Sequence, residues 1–332
     1  MDLALILAVI VAVSVFLYVV LDGFDLGIGI LFPLLGERPD RDLAMNSIAP
    51  VWDGNETWLV MGGGALFAAF PLAYAILMPA LYVPVMLLLV GLIFRGVAFE
   101  FRWRVTTERR WWDWSFAGGS AVAAAAQGIA LGTVLQGVRV EGRAYAGGWW
   151  DWLTPFTLLT GASVVVAYAL LGAGWLILKT EAGLRERAYR LARPLALATL
   201  AAIVAVSLAT PFLSEAYWQR WFAWPRIAVA APVPLLTAFI ALALLRALAD
   251  RRDRWPLPLA LGLFALCFAG LGISIFPEIV PGALTIAEAA APESSQRMIL
   301  WGVGLLLPVI LGYTAYAYWV FRGKVVAGTG YH

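Results

Sequence analysis

The chain has 332 residues, of which 62% are hydrophobic and 13% charged, with a mean hydropathy of +0.85. An ordinary soluble chain carries roughly 25% charged residues, so this composition cannot coat a water-soluble body of this size. The 23 basic and 21 acidic residues leave a formal charge of +2, which excludes the basic field that nucleic acid binding needs.

Apolar runs of about twenty residues, the length that crosses a hydrocarbon core of about 30 Å, recur along the chain. They predict spans at 3–34, 51–70, 74–94, 115–136, 155–178, 195–213, 227–248, 256–276 and 299–321, nine helices in all. The first begins with an acidic residue and lacks a small-residue cleavage site, so it is expected to be a retained helix and not a removed signal. Between the second and third spans only a short turn at Pro71–Tyr74 is available. Nine crossings put 18 basic residues on one side of the membrane and 5 on the other. By the positive-inside rule the amino terminus is then outside and the carboxyl terminus, with Arg322 and Lys324, cytoplasmic.

Connections such as 95–114, 179–194 and 277–298 are too short for a separate folded domain, which leaves chemistry in or at the bilayer. Trp111-Trp112-Asp113-Trp114 and Trp149-Trp150-Asp151-Trp152 fall on opposite faces and read as interfacial anchors without a ligand. Glu278 and Glu288 flank a proline-bearing external segment, a loop packed on the outer surface. The one cysteine, Cys267, and the one histidine, His332, rule out an intrachain disulfide and make the chain a poor metal host. Met61, Met78, Met86 and Met298 read as core fillers.

Ionisable groups inside spans cost about 2.5–3.5 kcal/mol each on insertion scales, so five acids stand out as candidate functional groups. Asp22 and Asp25 share one face of the first helix, and Asp53 and Glu56 repeat that three-residue spacing early in the second. Glu100 follows the third span, close to Arg102 and Arg104, with Arg95 as a partner or end-marker. A connection of about sixteen residues makes helices one and two antiparallel neighbours, which would gather the five carboxyls at the cytoplasmic side of one bundle. Desolvation disfavours the charged form of a buried carboxyl, so such a cluster can take up and release protons. A proton inlet fits these facts. Glycine-assisted packing at Asp22 and Asp25, and an N-terminal helix acid at Asp53, would account for those residues without function.

At these strings the sequence becomes familiar. Leu21-Asp22-Gly23-Phe24-Asp25-Leu26-Gly27-Ile28-Gly29 and Asn46-Ser47-Ile48-Ala49-Pro50-Val51-Trp52-Asp53-Gly54-Asn55-Glu56-Thr57-Trp58-Leu59-Val60 closely resemble subunit II of the cytochrome bd quinol oxidases. Gly62–Pro71, Phe94-Arg95, Phe99-Glu100-Phe101-Arg102, Leu135-Gln136-Gly137 and Tyr313-Thr314-Ala315-Tyr316 extend the resemblance from the first helix to the last.

The resemblance implies an all-α integral membrane protein with two four-helix bundles, about 1–136 and 155–276, and one peripheral helix at about 299–321. It implies a multi-pass subunit of an oxidase in the bacterial cytoplasmic (inner) membrane that reduces dioxygen to water with electrons from quinol. Haem b and haem d would be held by the partner, subunit I, with none ligated by this chain and no catalytic residue on it. Small accessory transmembrane subunits, membrane lipids and a structural quinone are further expected partners. The Asp53 position looks like the family's acid on a hydrophilic proton route, with Asp22, Asp25 and Glu100 lining it, and Trp58 resembles a tryptophan at a lipid-facing oxygen-access route. A proton or cation antiporter and a non-conducting scaffold are the competing readings, since paired intramembrane acids also build ion sites.

Overall fold

A computed structural model of the chain describes residues 2–105, 107 and 109–325; His332 lies outside them. The helices follow the apolar runs because, in hydrocarbon, a helix satisfies every backbone N–H and C=O within its own segment.

Asp2 caps α1 (Leu3–Leu31) by accepting from the amides of Ala4 and Leu5. A turn containing Pro33 leads to α2 (Arg38–Ile48), then α3 (Trp52–Ala69), α4 (Pro71–Ala80), α5 (Tyr82–Phe101) and α6 (Arg109–Gln136). A hairpin of β1 (Val140–Glu141) and β2 (Ala144–Tyr145) precedes α7 (Pro155–Lys179), whose start carries a reciprocal Thr154–Thr157 capping box. Next come α8 (Ala182–Ala209), α9 (Glu215–Phe222), α10 (Ile227–Ala230), α11 (Pro232–Ala249) and α12 (Pro256–Ile275). A second hairpin, β3 (Glu278–Val280) with β4 (Leu284–Thr285), and α13 (Ile286–Ala289) lead to α14 (Glu293–Val320).

Contacts between connections define two faces. On the basic face, Arg102 and Arg41 reach Asp113, Arg187 reaches the Leu34 carbonyl, and Lys324 reaches Glu181 and Asp253. On the opposite face, the Tyr217 hydroxyl donates to the Leu135 carbonyl, Arg220 pairs with Glu278, and the Ala291 amide donates to the Ala69 carbonyl. Trp111 and Trp114 stand exposed at the start of α6, and Trp149 and Trp150 stand exposed in the loop before α7.

Among the described residues, eight helices are long and apolar enough to cross a bilayer. α3 is not one of them, because Asp53, Asn55 and Glu56 depress its hydropathy. Its eighteen residues, about 27 Å of helix, nonetheless run from the α2 side to the Ala69–Ala291 contact.

The third span differs from expectation. Residues 74–94 are not one helix: α4 ends at Ala80, and α5 continues to Phe101. The chain breaks at Phe70 and again at Leu81, both outside helical geometry, and α4 packs beside β2, β3 and α13 on the opposite face. Apolar residues continue across Leu81, so hydropathy could not register the break. α6 and α8 also start earlier than their apolar runs, at Arg109 and Ala182, since arginine supports a helix as well as leucine does.

α1 is the axis of the packing, with α3, α6 and α7 around it. A Cβ on Gly27 would lie 1.9 Å from the Tyr168 carbonyl oxygen, and one on Gly172 would lie 2.4 Å from the Gly27 backbone, so α1 and α7 meet backbone to backbone. Gly91 and Gly119 do the same for α5 and α6. Such contacts replace the hydrophobic drive that lipid does not supply. Met86 and Met298 are exposed and not core fillers, because α5 and α14 turn those positions away from the chain's interior.

A buried carboxylate and guanidinium cluster as the candidate functional site

Asp22 and Asp25 lie on the stretch of α1 that is buried without interruption from Asp22 to Gly29. Opposite them, α5 delivers Arg95, whose side chain is 0% exposed. The close α5–α6 approach at Gly91 and Gly119 sets its depth: a Cβ on Gly119 would come within 2.8 Å of the Arg95 amide nitrogen.

Arg95 Nη1 donates to Asp22 Oδ1 at 2.7 Å and to Glu56 Oε1 at 2.9 Å, and Nη2 stands 3.9 Å from Asp25 Oδ2. The guanidinium also lies 5.7 Å from the centre of the Trp52 ring. Asn55, from α3, donates through Nδ2 to Asp25 Oδ2 at 2.7 Å and to the Leu21 carbonyl at 3.3 Å. Two helices, α1 and α3, thus bring three carboxyl groups to one guanidinium on a third, α5. One positive charge cannot balance three negative ones, so the cluster must either hold protons or carry net charge in a low-dielectric setting. Asp22 Oδ2, Asp25 Oδ1, and Arg95 Nε and Nη2 have no hydrogen-bond partner among the described residues. A bridging water is the usual partner of buried polar atoms left in this way.

Behind Asp22 the polar chain continues inward. Gln127 Nε2 donates to the Tyr18 hydroxyl at 3.2 Å, and the Tyr168 hydroxyl donates to Gln127 Oε1 at 2.6 Å. Tyr18 lies one turn before Asp22 on α1 and interacts with its carboxyl.

The five acids expected to act together divide. Asp22, Asp25 and Glu56 form the cluster, with the Glu56 side chain 26% exposed as its outward member. Asp53 is exposed on α3, near enough to Glu56 to act on it electrostatically. Glu100 is exposed on α5 and stands outside the cluster. Asn55 and Glu56 reach Asp25 and Arg95, while Asp53, one turn before Glu56 at the start of α3, is exposed. Trp58 is 1% exposed, so the lipid-facing placement is corrected: the face of α3 that carries Asn55 carries Trp58 too.

Arg102 is not a partner of Glu100. It is buried, donating to Asp42 at 2.6 Å and to Asp113 at 2.5 Å, while Arg41 also donates to Asp113 at 2.9 Å. The Trp111–Trp114 string therefore contains an acid that ties α2, α5 and α6 together at the basic face. Sequence reasoning missed this, together with Tyr18, Asn55, Gln127, Tyr168 and Tyr318, whose hydroxyl donates to Asn55 Oδ1. Arg95 alone had a usable signal, an arginine within an apolar run. Glu278 and Glu288 serve their loop: Glu278 pairs with Arg220, and Glu288 accepts from the Thr285 amide and hydroxyl. Those bonds to Thr285 hold the Glu288 carboxyl below its ordinary range.

From residue 3 to residue 321 the chain matches the family described as cytochrome bd terminal oxidase subunit II. It belongs to that family. The cytochrome bd-I ubiquinol oxidase subunit 2 of Escherichia coli K12 is 32% identical over 93% of this chain and 91% of its own length. The cytochrome bd ubiquinol oxidase subunit 2 of Bacillus subtilis is 29% identical over 98% and 96%. A solved bd oxidase structure from Geobacillus thermodenitrificans superposes with a TM-score of 0.73 at 20% identity, covering 98% of this chain and 100% of that one, and so shares the fold. As a subunit II, the chain is a multi-span membrane component of a bacterial terminal oxidase complex whose other part is a subunit I.

The family implies haem in the complex. The described residues of this chain include no histidine, hold no group of three or more His, Cys, Asp or Glu placed for a metal ion, and leave Cys267 among apolar residues of α12.

Proposed function

We propose that this chain is the haem-free, proton-delivering and assembly-supporting subunit of a quinol:oxygen oxidoreductase, in which subunit I holds haem b and haem d and reduces dioxygen to water. The single observation that carries the reading is the placement of three carboxyl groups around the fully buried Arg95. Reduction of dioxygen consumes protons, and a haem-free partner with a buried acid cluster supplies a way in from the basic face.

In this reading the basic face is cytoplasmic, the amino terminus is outside, and α3 makes the ninth crossing. The helices form two four-helix bundles, about 1–136 and 155–276, with α14 peripheral. The complex sits in the bacterial inner membrane, where lipids, a structural quinone and small accessory subunits are further partners. Asp53 and Glu100, exposed on the outer surfaces of α3 and α5, collect protons. Glu56, partly exposed, passes them inward, and Asp22 and Asp25 exchange them around Arg95, which stays charged and keeps the carboxyls within reach of one another. Trp58 is assigned no lipid contact in this route.

Membership in the oxidase family argues against the antiporter and leaves the scaffold as the competing reading. Quinol-driven oxygen uptake by the purified two-subunit complex, normalised to haem content, separates them. Asp25→Asn and Asp53→Asn should assemble fully and lower turnover. Unchanged turnover in both variants with full haem content would establish the scaffold instead.

A further inference from the structure

Of the eight long apolar helices among the described residues, α14 is the least embedded: none of its membrane window is buried, and Trp301, Leu305, Val309 and Tyr313 are exposed. Near its end it nevertheless reaches into the acid cluster. The Tyr318 hydroxyl donates to Asn55 Oδ1 at 2.9 Å, and the same amide donates through Nδ2 to Asp25 Oδ2 at 2.7 Å.

An asparagine side chain has two ends of opposite hydrogen-bonding character, and only one presents donors. If its oxygen turned toward Asp25, two acceptors would meet in a buried site and the carboxylate would lose its N–H donor, a costly arrangement. Asp25 and the Leu21 carbonyl both accept from Nδ2, and Tyr318 supplies the donor that leaves Oδ1 satisfied in that orientation. The ring is itself held in place: it meets Phe24 edge-on at 6.4 Å and Trp175 edge-on at 6.3 Å, and those two rings stack at 4.1 Å. Lys179 Nζ, at the end of α7, donates to the carbonyls of Phe321 and Gly323 just beyond, which anchors this end of α14.

We propose that Tyr318 is a positioning residue for proton transfer, acting through Asn55 to keep a donor on Asp25 and so tying the proton affinity of the cluster to the seating of α14. The inference rests on the proton-delivery reading above. Asp25 is faced by Asp22 from its own helix, by Asn55 and Glu56 from α3, by Arg95 from α5 and by Tyr318 from α14. Phe in place of Tyr318 removes one hydroxyl and leaves every charge in place.

The test uses the complete two-subunit complex carrying Tyr318→Phe, Asn55→Leu, both together, or Asp25→Asn. Two readouts are taken: the pH profile of quinol-driven oxygen uptake and the infrared carboxyl stretching band that disappears in Asp25→Asn. Tyr318→Phe should displace the profile to higher pH by about one unit, a tenfold change in proton affinity, and should shift that band. Because the tyrosine acts through the amide, the double variant should match Asn55→Leu alone and not sum the two effects. An unshifted band and a wild-type profile in Tyr318→Phe, or additive effects in the double variant, would overturn the assignment. Failure of the underlying reading is seen separately, as full turnover in Asp25→Asn.

Discussion

Arg95 donates to Asp22 across 2.7 Å, with the two side chains 0% and 1% exposed, and it is the only basic residue in the described part of α5 before Arg102. Breaking a buried pair from the cationic side strands the carboxylates, at a cost of about 3–5 kcal/mol. Arg95→Leu is therefore expected to lower the yield and the thermal midpoint of the assembled complex. Asp22→Asn should cost less, because Arg95 keeps Glu56. Size-exclusion chromatography with haem quantification, followed by thermal unfolding, checks the order.

The depth of Arg95 depends on the α5–α6 contact. A Cβ on Gly119 would lie 2.5 Å from the Gly91 carbonyl oxygen, whereas one on Gly118 meets nothing within 4 Å. Gly119→Ala should destabilise by about 1–3 kcal/mol through overpacking. Gly118→Ala, one residue away on the same helix, should stay within about 0.5 kcal/mol of the parent in this chain's own packing. Thermal midpoints of the two complexes make the comparison.

The outward acids should separate stability from turnover. Asp53 and Glu100 are exposed and make no ion pair or side-chain hydrogen bond among the described residues, so Asp53→Asn and Glu100→Gln are expected to leave thermal stability unchanged within about 0.5 kcal/mol. If they gather protons, oxygen uptake in each should fall severalfold at alkaline pH, where protons are scarce, and recover toward acid pH. Stopped oxygen-electrode measurements across pH test this.

The loop on the opposite face has its own pH dependence. Bonds from the Thr285 amide and hydroxyl hold the Glu288 carboxyl below its ordinary range. A carboxyl depressed in the folded state contributes order that is present above its unfolded value, about 4.3, and is lost as the pH falls through the folded value. The protection factor of the Thr285 amide should therefore hold at neutral pH and fall as the pH drops through the lowered value of the folded carboxyl. Glu288→Gln should exchange faster at neutral pH and lose most of that pH dependence.

Much of the helical layout was legible from apolar run length, because a helix in lipid must be both long and apolar. The boundaries that failed are those where hydropathy and backbone geometry part company: the break at Leu81 lies inside a continuous apolar stretch, and the starts at Arg109 and Ala182 lie outside one. For the site, Asp22, Asp25 and Glu56 were legible as charges placed where charge is expensive. Asp53 and Glu100 carry the same chemical signal, yet they face outward.

By itself, then, the amino-acid sequence determined the solvent this chain folds in, its family, and which carboxyl groups needed explaining, since composition and spacing are one-dimensional quantities. Only the tertiary structure decided which of those groups meet. Arg95, Asn55 and Tyr318 come from three helices, and the last two are separated by 263 residues. Their convergence depends on the rotation of each helix about its axis and on the backbone contacts at Gly27, Gly91, Gly119 and Gly172. Helix rotation is set by packing between segments, which no property of a single segment records.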